Sequence, residues 1–258
     1  MCFMKKLMLW TKEKNKSGRY IVIDRKAVKG LIAIIITLSL LAGCGAKEAE
    51  ETTTNESGSI IDFNELRNGN SDIFAWIYIP DTDINDPIVQ NSEGDDSFYR
   101  THNVAKESDI NGAVYIESAN LNNMCDFNEV VHGTSVSTLN QFLDRTFFDN
   151  HQFIYVYMDG NSLIYYIVAA YIRDDTRLLE QYDFSYASGC LEFINEIYSG
   201  KSMNKNIREG WDAGLSPEHF LITLDGNISD KQVVVVGCLI GDAAGKIDRV
   251  VDWSYPEG

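Results

Sequence analysis

Acyl transfer by a thiol needs a cysteine, a histidine to handle protons and a cationic or amide donor for the oxyanion. Those residue types are therefore weighed first in this chain of 258 residues, which has five cysteines and four histidines. Between Leu191 and Gly237 there is no cysteine. Cys238 closes a continuous valine run and reads as a small buried apolar residue. Cys125 sits in a polar loop, open to solvent. His102, His151 and His219 are scattered, without the spacing to cysteine or carboxylate that a metal site needs, so no metal or cofactor is expected. His132 and Thr134 are two residues apart, and strand alternation would put both on one face, about 6.6 Å from each other.

The remaining notable cysteine belongs to an address signal. Leu31–Leu41 (LIAIIITLSLL) is apolar and follows Arg25, Lys26 and Lys29. It is too short for a membrane span of ~20 residues and suits the h-region of a signal peptide. It runs into Leu41-Ala42-Gly43-Cys44, which resembles a bacterial lipobox. The reading is a lipoprotein signal peptide over 1–43, with Cys44 acylated and the protein anchored at the outer face of the bacterial membrane. Two chains on one cysteine anchor stably where one binds only marginally. Residues 44–59, small and polar, form a flexible tether. With Cys44 acylated, Cys125, Cys190 and Cys238 cannot all pair, and a disulfide between two of them stays open.

Downstream, the patterning is that of short strands. Phe74–Ile79, Pro87–Gln90, Ala113–Ile116 and Glu129–His132 are rich in β-branched and aromatic residues. Phe153–Met158 and Leu163–Ile172 flank Asp159-Gly160-Asn161 as a hairpin. Phe220–Leu224 and Gln232–Ile240 form a second pair, with Gly226-Asn227 in the expected turn. The valine run of the last strand predicts burial on both faces. Helical spacing predicts helices over Ile60–Arg67, Val136–Phe148 and Tyr186–Tyr198. Together these give a domain over 60–245, mainly β, an antiparallel barrel with peripheral helices, and a tail over 246–258.

Composition narrows the function. Hydrophobic content of 45% excludes a disordered chain. Residues 1–43 carry a net +7 and residues 44–258 a net −23, against −16 for the whole. So acidic a body repels polyphosphate, which excludes a nucleic-acid partner.

Several segments, in order, resemble the sortases, and class B in particular. Asp72–Gln90 (DIFAWIYIPDTDINDPIVQ) resembles the opening phrase of that family, and Phe98–His102 (FYRTH) its next segment. Asn111–Ile116 (NGAVYI), Asn128–Thr134 (NEVVHGT) and Lys231–Ile240 (KQVVVVGCLI) match its later strands. A helix in the insertion between the sixth and seventh strands is a class B trait. The resemblance implies a sortase barrel and cysteine transpeptidase chemistry on surface proteins, an endopeptidase cut followed by transfer to an amine.

Carried over residue by residue, the histidine position falls on Thr134, the cysteine position on Asn227 and the arginine position on Gln232. An Asn amide is no nucleophile, a Thr hydroxyl no base near neutral pH, and Gln has no charge for an oxyanion. Cys238 lies six residues beyond Gln232, about 20 Å along a strand, too far to substitute. His132, at the family's tyrosine position, and Asp225 are candidate groove-lining residues, and Asp225 with Thr134 is a candidate hydrogen-bonded pair. The expectation is a sortase-like pseudoenzyme of a Gram-positive cell surface, lipid-anchored through Cys44. Its vestigial sorting-motif groove would hold a secreted or surface peptide or protein, with an active sortase or its substrate among the partners. The alternatives are a divergent active class B sortase using other residues, and a structural cell-wall interaction module.

Overall fold

A computed structural model describes residues 10–14, 20–24, 61–202 and 204–255. It divides into two units, within 1–50 and 51–258. In the first, β1 (Trp10–Lys14) pairs antiparallel with β2 (Tyr20–Asp24), a hairpin inside the stretch read as signal peptide. The apolar run Leu31–Leu41, Cys44 and the tether lie outside the described residues. Among the described residues no helix is long and apolar enough to cross a membrane.

The second unit is a barrel. Its strands are β3 (Ile73–Tyr78), β4 (Asn85–Val89), β5 (Val114–Ile116), β6 (Asn128–His132), β7 (Phe153–Met158), β8 (Asn161–Asp174), β10 (Leu221–Ile228) and β11 (Lys231–Asp242). The order β11-β10-β6-β5-β4-β3-β7-β8 closes through a β11–β8 ladder. The two-residue β9 (Asn206–Ile207) adds to β8. The pairs β4–β5 and β6–β10 are parallel and the rest antiparallel. Closure leaves no unpaired edge along the barrel, which removes the usual hazard of a free strand.

The helices sit at the rim and on one outer face. They are α1 (Phe63–Gly69), α2 (Val136–Gln141), α3 (Arg145–Asn150), α4 (Leu178–Gln181) and α5 (Ala187–Ser199). α1 starts at Asp62, whose carboxylate accepts from the N–H groups of Asn64 and Glu65. The single helix predicted over Val136–Phe148 is instead two. Asp144 caps a new start by accepting from the N–H of Phe147 at 2.9 Å, while Phe142, between the two, is wholly buried. α5 falls between the sixth and seventh barrel strands, as expected.

The valine run does what its pattern predicts. Val233 and Val235 point into the barrel with Ile222, Leu224, Val131 and Tyr165. Val234 and Val236 pack outward beneath Phe193 and Ile197 of α5. Cys238 lies in that outer layer at 0% exposure, where burial pushes its thiol up to about 12. Cys125, Cys190 and Cys238 are free, and Cys125 is partly exposed.

The β10–β11 turn departs from expectation. Gly226 and Asn227 are strand residues, opposite Val233 and Gln232, and the turn is Ser229-Asp230, with Ser229 at φ 57°. Gly226 is needed for packing rather than for turning: a Cβ there would stand 2.8 Å from Cγ2 of Val136, so its absence lets α2 close one end of the barrel. The segment read as a tail returns to the body. The Ala187 N–H donates to the Asp252 carbonyl at 2.6 Å, and the Arg249 guanidinium lies 5.3 Å from the Phe127 ring.

Candidate functional site

Asn227 and Gln232 face each other across the β10–β11 ladder, and Gln232 faces Arg173 across β11–β8. The three therefore form one row over three strands. The Gln232 amide donates to Oδ1 of Asn227 at 3.4 Å, and its oxygen accepts from Nη1 of Arg173 at 2.9 Å.

Arg173 has no spare donors. Its Nε donates to Glu196 at 2.9 Å, Nη1 also to the Thr176 carbonyl at 2.5 Å, and Nη2 to Gln181 at 2.6 Å. Glu196 further accepts from the hydroxyls of Tyr171 and Tyr182, at 2.9 and 2.5 Å. Burial alone would raise the Glu196 pKa, but the Arg173 guanidinium and the two tyrosines outweigh it and hold the carboxyl below its usual range. The guanidinium is thus consumed in tying β8 to α4 and α5. A cavity of about 500 Å³ opens beside it, lined by Thr176, Gln181, Lys201, Ser202 and Lys231 among others.

One pleat back along β10, Asp225 lies on the same outward face as Asn227. The parallel register of β6 and β10, with Val131 level with Leu224, brings His132 beside it. His132 Nδ1 donates to Oδ1 of Asp225 at 2.8 Å, which fixes Nδ1 as the protonated nitrogen of the neutral ring. Nε2 is shut off from solvent and has no hydrogen-bond partner. Oε1 of Glu117, just beyond β5, lies 3.6 Å from it and also receives Nη2 of Arg177 at 2.8 Å. Burial lowers the His132 pKa, yet the Asp225 carboxylate more than compensates, and the net direction is upward. Tyr115, whose ring centre is 5.0 Å from that of His132, completes the enclosure.

Thr134 joins neither group. Gly133 takes φ 78°, which ends the alternation of β6 at His132, so the expected placement of His132 and Thr134 on one continuous strand face does not hold. A side chain at Gly133 would meet the Ala113 carbonyl at 2.1 Å, so only glycine makes this bend. Thr134 is buried and its hydroxyl has no hydrogen-bond partner. The expected Asp225–Thr134 bond is absent; the partner of Asp225 is His132.

Asn227 and Gln232 are therefore brought together, as are His132 and Asp225. Glu117, Arg173 and Arg177 are the site residues that sequence reasoning missed. Their one signal is position: Glu117 and Arg173 each stand one place past a predicted apolar strand. Among the described residues, no group of three or more His, Cys, Asp or Glu is arranged to hold a metal ion. The row of two amides offers hydrogen bonds but neither thiolate nor free guanidinium. The His132–Asp225 pair offers an oriented imidazole whose second nitrogen faces a carboxylate.

A mainly β, closed eight-strand barrel with a few helices, one of them between the sixth and seventh strands, is the sortase B fold. The solved structure of sortase B from Clostridium perfringens is similar at a TM-score of 0.58 and 25% identity, over 70% of this chain and 100% of that one. The Staphylococcus aureus sortase B–substrate complex has a TM-score of 0.58 at 20% identity, over 69% of this chain and 84% of that one, a likeness of fold. Among curated proteins, Sortase B of Listeria monocytogenes is 29% identical over 109 residues, 40% of this chain and 44% of that relative. The match thus spans less than half of the relative's length. No protein-family model matches the chain.

Proposed function

We propose that this chain is a sortase-like protein of the outer bacterial cell surface that keeps the barrel but not the bond-making chemistry, and that binds a peptide or protein through the face carrying Asn227, Gln232, His132 and Asp225. The observation that carries the reading is the Asn227–Gln232 pair. These are the residues onto which the family's cysteine and arginine fall, and they stand opposite each other on adjacent strands, joined amide to amide. Removing either a nucleophile or a transition-state donor costs orders of magnitude in rate, and an amide supplies neither function.

The anchor belongs to the same proposal. Cys44, acylated and made the mature N-terminus by removal of 1–43, holds the domain at the membrane of a Gram-positive cell through the 44–59 tether. A secreted or surface protein, an active sortase or its substrate among them, is the partner class. Palmitate labelling lost in Cys44→Ser supports the anchor, and label retained refutes it.

Binding is tested by fluorescence titration of the purified domain with labelled class B sorting-motif peptides. Saturable binding, weakened at least tenfold by Asp225→Ala or Gln232→Ala, is expected. Affinity unchanged in both variants would remove the groove from the account.

A second reading rests on the bond from His132 to Asp225. A carboxylate on Nδ1 is how a catalytic base is oriented. Against it, Nε2 faces Glu117. Peptide cleavage that depends on His132 would favour this second reading.

A further inference from the structure

We infer that Glu117, His132 and Arg177 form a proton-operated latch, in which protonation of His132 frees Arg177 from Glu117. One carboxylate oxygen is contested by two groups. Oε1 of Glu117 receives Nη2 of Arg177 at 2.8 Å while Nε2 of His132 waits 3.6 Å away without a hydrogen bond. Asp225 holds the other ring nitrogen at 2.8 Å, so the imidazole is already turned toward Glu117 and needs no rotation to reach it.

The charge logic follows from who can donate. In the neutral ring, Nδ1–H points at Asp225 and Nε2 carries a lone pair, which repels the Glu117 oxygen. Glu117 then depends on Arg177. When Nε2 takes a proton from water, it becomes a donor aimed at the same oxygen. The carboxylate, 9% exposed, now has a buried partner close by. Arg177 is the weaker competitor, since its side chain is 48% exposed and ordering a long side chain costs conformational entropy.

Arg177 also has somewhere to go. Its Nη1 is already paired with Glu180, three residues on and 64% exposed. The backbone on either side is fixed, through Thr176, which accepts from Arg173, and through Leu178, which is 3% exposed in the outer core. The moving part is therefore the Arg177 side chain and not the loop. Around His132 the charged and titratable neighbours are Asp225 from β10, Glu117 and Tyr115 from β5 and its end, and Arg177 from the segment before α4. Burial of the ring works against protonation, as does the Arg177 charge, while Asp225 and Glu117 favour it, and the net shift is upward from the ordinary histidine value. The latch belongs to the charge cluster itself and stands whether or not the face binds a peptide.

The test is side-chain NMR of the folded domain across pH. The His132 midpoint should rise by roughly 0.5–1 pH unit in Arg177→Gln, because a cation is removed and Glu117 is released. It should fall by a similar amount in Glu117→Gln. The Arg177 Nη2 protons, which donate to Glu117, should lose their protection against exchange, measured relative to a free guanidinium at the same pH, as pH falls through the His132 midpoint, and His132→Gln should abolish that dependence. Midpoints that do not move in either variant, or Arg177 protection that ignores pH in the wild-type protein, would overturn the latch. The wild-type measurement needs no variant to fold.

Discussion

The guanidinium of Arg173 donates to the amide oxygen of Gln232 at 2.9 Å, across the ladder that joins β8 to β11. A guanidinium therefore lies one strand away from the position where the resemblance expects one. It is bound into the fold through Glu196, Gln181 and Thr176. This has a direct consequence for any attempt to restore a sortase site.

Gln232→Arg would set two guanidinium groups together in a site where Arg173 is 7% exposed and Gln232 6%. Like charges out of water repel strongly, and the change is expected to cost about 2–4 kcal/mol. Gln232→Met, which loses the hydrogen bonds to Asn227 and from Arg173 but adds no charge, should cost about 1–2 kcal/mol. Urea unfolding distinguishes them, and equal costs would show that the Arg173 charge is not felt at position 232. A restored triad of Thr134→His, Asn227→Cys and Gln232→Arg accordingly needs Arg173 neutralised as well.

Glu129 points into the barrel at 0% exposure, opposite Ile222. One carboxyl oxygen accepts from the Asp126 N–H at 3.2 Å and the other has no hydrogen-bond partner. Burial, then the nearby Asp126 charge, push its pKa well up, so the folded protein holds it neutral. Above about pH 4.5 the unfolded chain gives up this proton and the folded one does not, so stability falls as pH rises toward the folded pKa. Glu129→Gln should therefore raise the melting temperature more at pH 8 than at pH 4. A gain independent of pH would contradict the assignment.

His132 works in the opposite sense from a typical carboxylate. Its folded pKa lies above 6.5, so the stability it contributes is fully present below that value and is lost as pH rises through the folded pKa. His132→Gln should cost about 1 kcal/mol at pH 6 and markedly less at pH 9, read by chemical denaturation. A constant cost would mean that the ring is neutral throughout.

Gly133→Ala tests the bend that separates Thr134 from β6. With φ at 78° and a Cβ only 2.1 Å from the Ala113 carbonyl, the change should cost about 2 kcal/mol or more in thermal unfolding. A silent substitution would show that the chain can take another path to α2.

Much of this frame is legible from local pattern. The alternation in Phe74–Ile79 and the double-sided burial of Val233–Val236 give strands, and their order gives the barrel. Local rules mislead where a stronger constraint overrides them. Gly226-Asn227 is a good hairpin dipeptide, but the ladder runs past it to Ile228, opposite Lys231. Asp144 looks like one polar residue on a helix and in fact restarts it as a cap. Alternation predicts Thr134 beside His132, and a single left-handed glycine cancels it. The charge pairs had no local signal: His132 and Asp225 are 93 residues apart, and Arg173 and Gln232 are 59.

The central claim is that the Asn227–Gln232 face makes and breaks no peptide bond. It is tested by incubating the domain with class B sorting-motif peptides and an amine acceptor, followed by mass spectrometry. Intact peptide, with neither cleaved product nor amine adduct above the enzyme-free control, is the expected result. Turnover that disappears in Asn227→Ala or Thr134→Ala would contradict it.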